Sequence, residues 1–166
     1  PLVIDQPIWA LAGGNITLVR DAGFNTIHVY ESNDFATNGF AAMDLVPVND
    51  VNFVSDILFQ ARDGLSDTLT VDFSGGVPLS DPIPATGGIN FIGGTGLGTD
   101  SLILQNGIYQ NIVHDFAGGG AGTVTLDPDA LGSGVAASII TYSQLEPISD
   151  QLTATNRIFN FSSAAD

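Results

Sequence analysis

The sequence contains no cysteine and no lysine. Without cysteine, the chain can form no disulfide, hold no metal through a thiolate and use no thiol as a nucleophile. Three arginines face 18 acidic residues, which gives a formal net charge of −15. A charge of this size repels the phosphates of nucleic acids and the anionic surfaces of membranes, so we expect no nucleic-acid partner.

Long apolar runs are also missing. No run approaches the roughly 20 residues of a membrane-spanning helix, so we expect no direct membrane insertion. The chain begins at Pro1 without a basic leader segment, and we expect it to be a fragment or processed piece of a longer repeat protein. Its 166 residues, 44% of them hydrophobic, are enough for a single folded domain spanning residues 1–166.

Glutamate is nearly absent as well. Of the 18 acidic residues only Glu31 and Glu146 are Glu, and the rest are Asp. Asp favours turns and caps, whereas Glu is the usual acidic residue on helix surfaces, so this bias argues against helices. Together with abundant Ser, Thr, Asn and Gly, the acidity favours a secreted, extracellular or cell-surface protein of bacterial type.

Short segments with an apolar residue at every second position recur along the chain. This alternation predicts β-strands with one buried face. The segments are 16–18, 27–29, 69–73, 89–92, 102–104, 108–113, 124–126, 139–142 and 158–161. Residues 51–61 fit a helix or a strand, and we interpret them as a strand; no segment is a convincing amphipathic helix.

Two pairs of similar segments favour a β-solenoid among the all-β folds. Residues 67–71 (DTLTV) resemble 100–104 (DSLIL), and residues 13–16 (GGNI) resemble 87–90 (GGIN). Stacked turns with Gly and Asp at their corners produce such repeats. We therefore predict a right-handed parallel β-helix, with a β-sandwich as the alternative. The predicted inward side chains are Leu69, Val71, Phe73, Ile89, Phe91, Leu102, Leu104, Val124, Leu126, Ile139 and Phe161.

The segments 67–76 (DTLTVDFSGG), 87–102 and 139–150 (IITYSQLEPISD) carry a family resemblance. They resemble repeat modules of very large secreted bacterial surface proteins, which are similar to parallel β-helices of the filamentous-haemagglutinin type. The resemblance extends over about residues 60–161. It implies an extracellular structural or adhesive role, and it implies no catalytic residues.

Asp residues near glycine-rich corners make calcium a candidate ligand, because Ca²⁺ is held by converging oxygen atoms. The candidate residues are Asp100, Asp127 and Asp129. The alternative is that these side chains cap turns. The glycine-rich stretch GGTGLGTDSL is two residues longer than the pattern of calcium-binding nonapeptide repeats.

Enzymatic activity is the less favoured class, and we expect no catalytic residues. Asp63 with Asp67, or Asp127 with Asp129, could serve a carbohydrate-active β-helix enzyme, but close Asp pairs arise by chance in an Asp-rich chain. His114 and Asp115 are adjacent on a predicted strand and would point to opposite faces. His28 is predicted to point outward without a partner.

The apolar, strand-like segments 2–4 and 157–161 suggest how the chain associates. Unpaired strand edges accept strands from other chains. We therefore predict that copies of this chain, or neighbouring modules, join head to tail into a fibre, with a surface polysaccharide as a possible further partner.

Overall fold

The computed structural model describes residues 2–4, 14–45, 49–50, 56–76, 88–129, 137–145 and 147–162. These ranges contain one α-helix, α1 (Ser32–Asn38), and one 3₁₀ helix (Gly39–Ala41). The strands are β1 (Leu2–Ile4), β2 (Asn15–Asp21), β3 (Thr26–Glu31), β4 (Asn49–Asp50), β5 (Asp56–Gln60), β6 (Thr68–Asp72), β7 (Gly88–Ile92), β8 (Ser101–Gly118), β9 (Ala121–Asp127), β10 (Ser138–Ser143) and β11 (Ile148–Phe161). The all-β prediction is confirmed.

The strands of the described ranges form one mixed sheet that curls into a half-barrel. Its order is β1-β5-β7-β10-β9-β8-β6-β2-β3-β4, and β11 pairs with β8 outside this path. The predicted strand over residues 51–61 is present as β5 from Asp56, and its first five residues lie outside the described ranges.

Two ladders of parallel strands run through the sheet. Ladder A consists of β1, β5, β7 and β10, and ladder B of β2, β6, β8 and β11. Ile57 of β5 pairs with Ile89 of β7, 32 residues later, and Leu69 of β6 pairs with Leu102 of β8, 33 residues later. One passage of the chain therefore contributes one strand to each ladder.

The similarity between residues 67–71 and 100–104 corresponds to this register. Thr68 pairs with Ser101 and Leu69 with Leu102, so the two segments occupy equivalent positions on adjacent strands. The similarity between residues 13–16 and 87–90 has no such counterpart. Its described residues fall on β2 of ladder B and β7 of ladder A, which do not pair.

Antiparallel strands complete the sheet. Strand β9 pairs with both β8 and β10 and so connects the two ladders. Strand β3 pairs with β2, and β4 pairs with β3, so ladder B is covered at the β2 end. The parallel-helix prediction did not include these antiparallel strands.

The core lies inside the curl, where the inward side chains of both ladders meet. Nine of the eleven predicted inward residues are buried there. Ile139 is wrong by one position, because Ile140 is the buried residue and Ile139 is half-buried. Phe161 is also wrong: it is 70% exposed, because it lies on the outermost strand, β11.

A smaller apolar cluster covers the outer face of β2 and β3. It contains Val19, Tyr30 and Ala42, with Phe35 of α1 packed against them. Because the chain after β3 returns across this face, the outer side chains of β3 are enclosed rather than solvated.

Candidate functional site: the free edge of β11

Strand β11 is the longest strand with an unpaired edge in the described part of the chain. It pairs with β8 from Ile148 opposite Leu102 to Phe161 opposite Phe116, with a bulge between Gln151 and Thr153. Its other edge has no strand partner among the described residues. Residues 155–161 are all exposed, although the segment is rich in the Thr, Ile and Phe that favour strands.

Alternate backbone groups of β11 point away from β8, toward the edge that no described strand occupies. Ser162 donates its backbone N–H to the carbonyl of Phe116 at 3.0 Å. In a parallel pair, alternate residues direct both backbone groups to the same neighbour. Phe159 and Phe161 therefore direct their N–H and C=O groups to the unpaired edge.

Two pairs of stacked rings lie on one face of β8 and β11. The rings of His114 and Phe159 are 5.1 Å apart with an interplanar angle of 17°, and those of Phe116 and Phe161 are 5.2 Å apart at 10°. Phe159 is 50% exposed and Phe161 70% exposed. The stacks thus end in aromatic rings that are half or more exposed.

A groove of about 570 Å³ adjoins these rings. Its walls are formed by Tyr142 of β10, by Leu145, by Gly118 at the end of β8 and by Gly119 and Gly120 in the turn before β9. The Tyr142 hydroxyl is buried, with no hydrogen-bond partner among the described residues. Burial and the nearby Asp115 raise the pKa of Tyr142, so this hydroxyl is neutral.

Asp150 links the base of the groove to β8. Its Oδ2 atom lies 2.9 Å from Nε2 of His114 and 2.9 Å from Nε of Arg157, and its Oδ1 accepts the backbone N–H of Leu152 at 2.9 Å. Because an ionised carboxylate is only an acceptor, His114 carries a proton on Nε2. Burial opposes ionisation, but the hydrogen bonds from His114 and Leu152 and the charge of Arg157 hold the pKa of Asp150 below its usual value.

No local sequence pattern indicates this pairing, because His114 and Asp150 are 36 residues apart. The prediction that His114 and Asp115 point to opposite faces is confirmed. His114 is buried, whereas Asp115 is exposed and accepts a hydrogen bond from Asn160 at 2.7 Å.

Polar side chains pair along the other face of β8 and β11. In addition to the Asn160–Asp115 bond, Asn156 donates its side-chain amide to Oδ1 of Asn111 at 2.9 Å. One face of this strand pair therefore carries stacked rings, and the other carries a row of amide and carboxylate contacts.

Asp100, the first calcium candidate, is buried and hydrogen-bonded to the backbone at a corner between the ladders. Its Oδ1 accepts the N–H of Asp67 at 2.9 Å, and its Oδ2 accepts the N–H of Gly94 at 2.6 Å. Asp67 belongs to the preceding passage of the chain. Asp100 therefore connects two successive corners.

Asp127 and Asp129 lie elsewhere on the sheet. Asp100 directly precedes the first residue of β8, Ser101. Asp127 pairs with Asn111, which lies ten residues further along that strand. Oδ1 of Asp127 accepts the N–H of Asp129 at 3.1 Å, which is the turn-capping alternative. Among the described residues no group of three or more His, Asp or Glu is arranged to hold a metal. Calcium at Asp100, Asp127 and Asp129 stays a prediction.

The Asp63–Asp67 pair is divided between two structural contacts. Asp67 is fully buried and forms an ion pair with Arg62, which also donates its backbone N–H to Asp67 at 2.8 Å. Asp63 accepts the backbone N–H of Thr95 at 2.7 Å and also its hydroxyl, and these bonds lower the pKa of Asp63.

His28 points outward as predicted, but the prediction that it has no partner is wrong. Its Nδ1 lies 3.0 Å from both carboxylate oxygens of Asp44, and its Nε2 lies 2.8 Å from the hydroxyl of Thr26. His28 does lie on the outer face of β3. The segment that follows α1 returns across this face and brings Asp44 to it, which local alternation could not indicate.

The chain was compared with protein-family models, with curated proteins and with solved structures, and none of the three comparisons found a match. Among the described residues, no helix is long and apolar enough to cross a membrane.

Proposed function

We propose that this chain is a structural or adhesive module of a secreted surface protein and not an enzyme, and that the free edge of β11 joins it to a copy of itself or to a neighbouring module. The observation that carries the proposal is the long edge of β11, which has no strand partner among the residues that the structure describes, with Phe159 and Phe161 exposed beside it. An exposed edge strand of this kind is a template for strand addition.

Strand addition would satisfy the outward N–H and C=O groups of β11 and remove both rings from water. Covering a half-exposed phenyl ring contributes about 1 to 2 kcal/mol by its apolar area, and stacking on a further ring adds about 0.5 to 1.5 kcal/mol. Two adjacent rings are therefore enough to favour association through this edge over contact elsewhere on an acidic surface.

We also propose that successive passages of the chain, each of which contributes one strand to ladder A and one to ladder B, are turns of a right-handed parallel β-helix. The passages that carry β5–β6 and β7–β8 support this, because their paired positions are 32 residues apart in ladder A and 33 in ladder B, and the buried Asp100 bonds one corner to the next. Crossovers between parallel strands of one sheet are right-handed in about 98% of cases. In this proposal, the antiparallel strands β3 and β9 pair with strands of the β-helix but do not belong to its turns.

The two ends of such a helix differ. Strand β1 lies at one end of the sheet path, β2 is covered by β3, and the outer edge of β11 has no strand partner in the described ranges. A contact between unlike ends does not close on itself, so repetition produces a filament. The net charge of −15 opposes side-by-side clustering and favours growth along one axis. The resemblance to modules of large bacterial surface proteins supports an extracellular location.

Sedimentation velocity over a range of concentrations tests this proposal. We expect the chain to associate as its concentration rises and the double substitution Phe159→Asp/Phe161→Asp to abolish the association. Electron microscopy of the associated material should show extended rather than compact particles.

The matched control is Phe24→Asp/Leu97→Asp, which also replaces two exposed apolar residues, of 80% and 101% relative exposure, but leaves β11 intact. This control should associate like the unmodified chain. A monomer at every concentration, or equal loss of association in both double variants, would contradict the proposal.

A further inference from the structure

The paired segments of β8 and β11 carry the same residue pattern. Residues 111–116 are Asn-Ile-Val-His-Asp-Phe, and residues 156–161 are Asn-Arg-Ile-Phe-Asn-Phe. Each residue of the first segment lies opposite its equivalent in the second, 45 residues later, from Asn111 opposite Asn156 to Phe116 opposite Phe161. The shared pattern is Asn, any residue, Val or Ile, a ring, Asn or Asp, and Phe.

Four of these positions contact their own equivalents. The first position forms the Asn156–Asn111 hydrogen bond of 2.9 Å, and the fifth forms the Asn160–Asp115 hydrogen bond of 2.7 Å. The fourth and sixth form the two ring stacks, with centroids 5.1 and 5.2 Å apart. The pattern is thus complementary to itself when two strands carrying it lie parallel and in register.

We infer that the free edge of β11 binds a parallel strand that carries this same pattern and that belongs to a neighbouring module. The inference rests on the proposed function and narrows its partner. A third strand in the same register would place a ring over each of Phe159 and Phe161 and a polar side chain beside each of Asn156 and Asn160. The contacts between β8 and β11 would then be repeated between β11 and the added strand.

An intact second copy cannot supply a strand with this pattern in this register, so association of free copies through this edge uses a different strand. Its residues 111–116 already lie between β9 and β11, so both edges of that segment are occupied. The second copy could instead offer the same free edge of its own β11. Two identical edges can pair in only two ways: the two β11 strands run antiparallel, or they run parallel with one sheet turned over so that its faces are exchanged. Antiparallel pairing reverses the pattern and separates Asn156 from its equivalent, whereas turning one sheet over places rings opposite polar side chains.

The experiment adds the missing strand to the whole chain. A second copy of residues 110–117 (QNIVHDFA) is fused after residue 166 through a Gly/Ser linker of about 15 residues. Such a linker spans about 20 Å on average, which matches the roughly 20 Å needed to return along six strand residues. The control fusion exchanges each neighbouring pair within the pattern (QINHVFDA), which keeps the composition and moves the rings to the other face.

Hydrogen exchange of the backbone amides in residues 155–161 is the readout. With the matched fusion, we expect the outward amides of Phe159 and Phe161 to exchange on the order of tenfold more slowly than in the unfused chain, whereas the control fusion leaves them unchanged. The matched fusion should also abolish concentration-dependent association, because it occupies the edge.

The other outcomes separate this inference from the proposed function. Equal protection by both fusions would overturn the inference, since the edge would then accept any strand, and would leave the proposed function standing. Protection by neither fusion would overturn both, because the edge would then not accept a strand at all.

Discussion

Asp150 is the charged residue that connects the outermost strand to the rest of the sheet. It is 11% exposed and contacts His114 of β8 and Arg157 of its own strand. Its pKa is lowered in the folded protein, so folding favours the ionised carboxylate. The stability that it contributes is therefore present above the pKa of an unfolded Asp, about 3.9, and is lost as the pH falls through the folded value.

We predict that Asp150→Asn lowers the free energy of unfolding at pH 6 by about 1 to 2 kcal/mol, because buried His114 loses a charged hydrogen-bond partner. Below pH 4 the difference between this variant and the unmodified chain should shrink, because protonation of Asp150 removes the same charge. Urea unfolding at pH 6, 4 and 3 measures both effects. Asp115→Asn, which also removes one negative charge, is the control, and a difference that stays constant down to pH 3 would contradict the prediction.

At the scale of single elements, the corner between the ladders depends on glycines where successive passages of the chain touch. A Cβ atom at Gly98 would lie 1.7 Å from the backbone carbonyl oxygen of Leu65, 33 residues earlier. Gly64 has a positive φ of 73°, but a Cβ atom there would have no neighbour within 4 Å. The first glycine is therefore required by close approach and the second only by its backbone conformation.

We predict that Gly98→Ala destabilises the protein by about 3 kcal/mol or more, since overpacked backbone must move apart. Gly64→Ala should cost only about 1 to 2 kcal/mol, which is the penalty for a side chain in the left-handed region. Urea denaturation of both variants provides the comparison. Equal effects would show that the corners do not stack as closely as this structure has them.

The similarity between residues 67–71 and 100–104 could predict a parallel register, because a solenoid imposes the same inward positions on every turn. The antiparallel strands β3 and β9 could not be predicted in the same way. Both have the alternation of any half-buried strand, and alternation does not specify the direction of pairing.

The site was partly predictable for the same reason. The apolar segment 157–161 indicated an edge strand, and it forms the exposed part of β11. The prediction that Phe161 lies in the core was wrong. Alternation shows which face of a strand is apolar, but it does not show whether another part of the protein covers that face. The pairings His114–Asp150 and His28–Asp44 depend on chain reversals over 36 and 16 residues, which no local pattern encodes.

At the scale of the whole molecule, association brings together two bodies that each carry a formal charge of −15. The attraction proposed at β11 is apolar and backbone-mediated, whereas the repulsion is electrostatic. The Debye length falls from about 10 Å at 0.1 M salt to about 3 Å at 1 M, so salt weakens the repulsion far more than the attraction.

We therefore predict that the dissociation constant for self-association falls as sodium chloride rises from 0.05 to 0.5 M, with the monomer most populated at low salt. Sedimentation equilibrium at each salt concentration measures this. The Phe159→Asp/Phe161→Asp variant should stay monomeric throughout. Association that weakens with salt would mean that ion pairs hold the copies together.

The covering of β2 by β3 also sets an order in which the protein can fold. These two strands form a local hairpin, whose turn is supported by the Asp21 carboxylate accepting the N–H of Gly23 at 2.8 Å. Local contacts form early, and chains begin to fold from the N-terminal side during synthesis. From the hairpin onward, ladder B is assembled in chain order, because β6 adds to β2, β8 to β6 and β11 to β8. Each strand of ladder B can therefore dock on the one made before it while the rest of the chain is still being synthesised, whereas in ladder A Leu2 of β1 waits for Ile57 of β5.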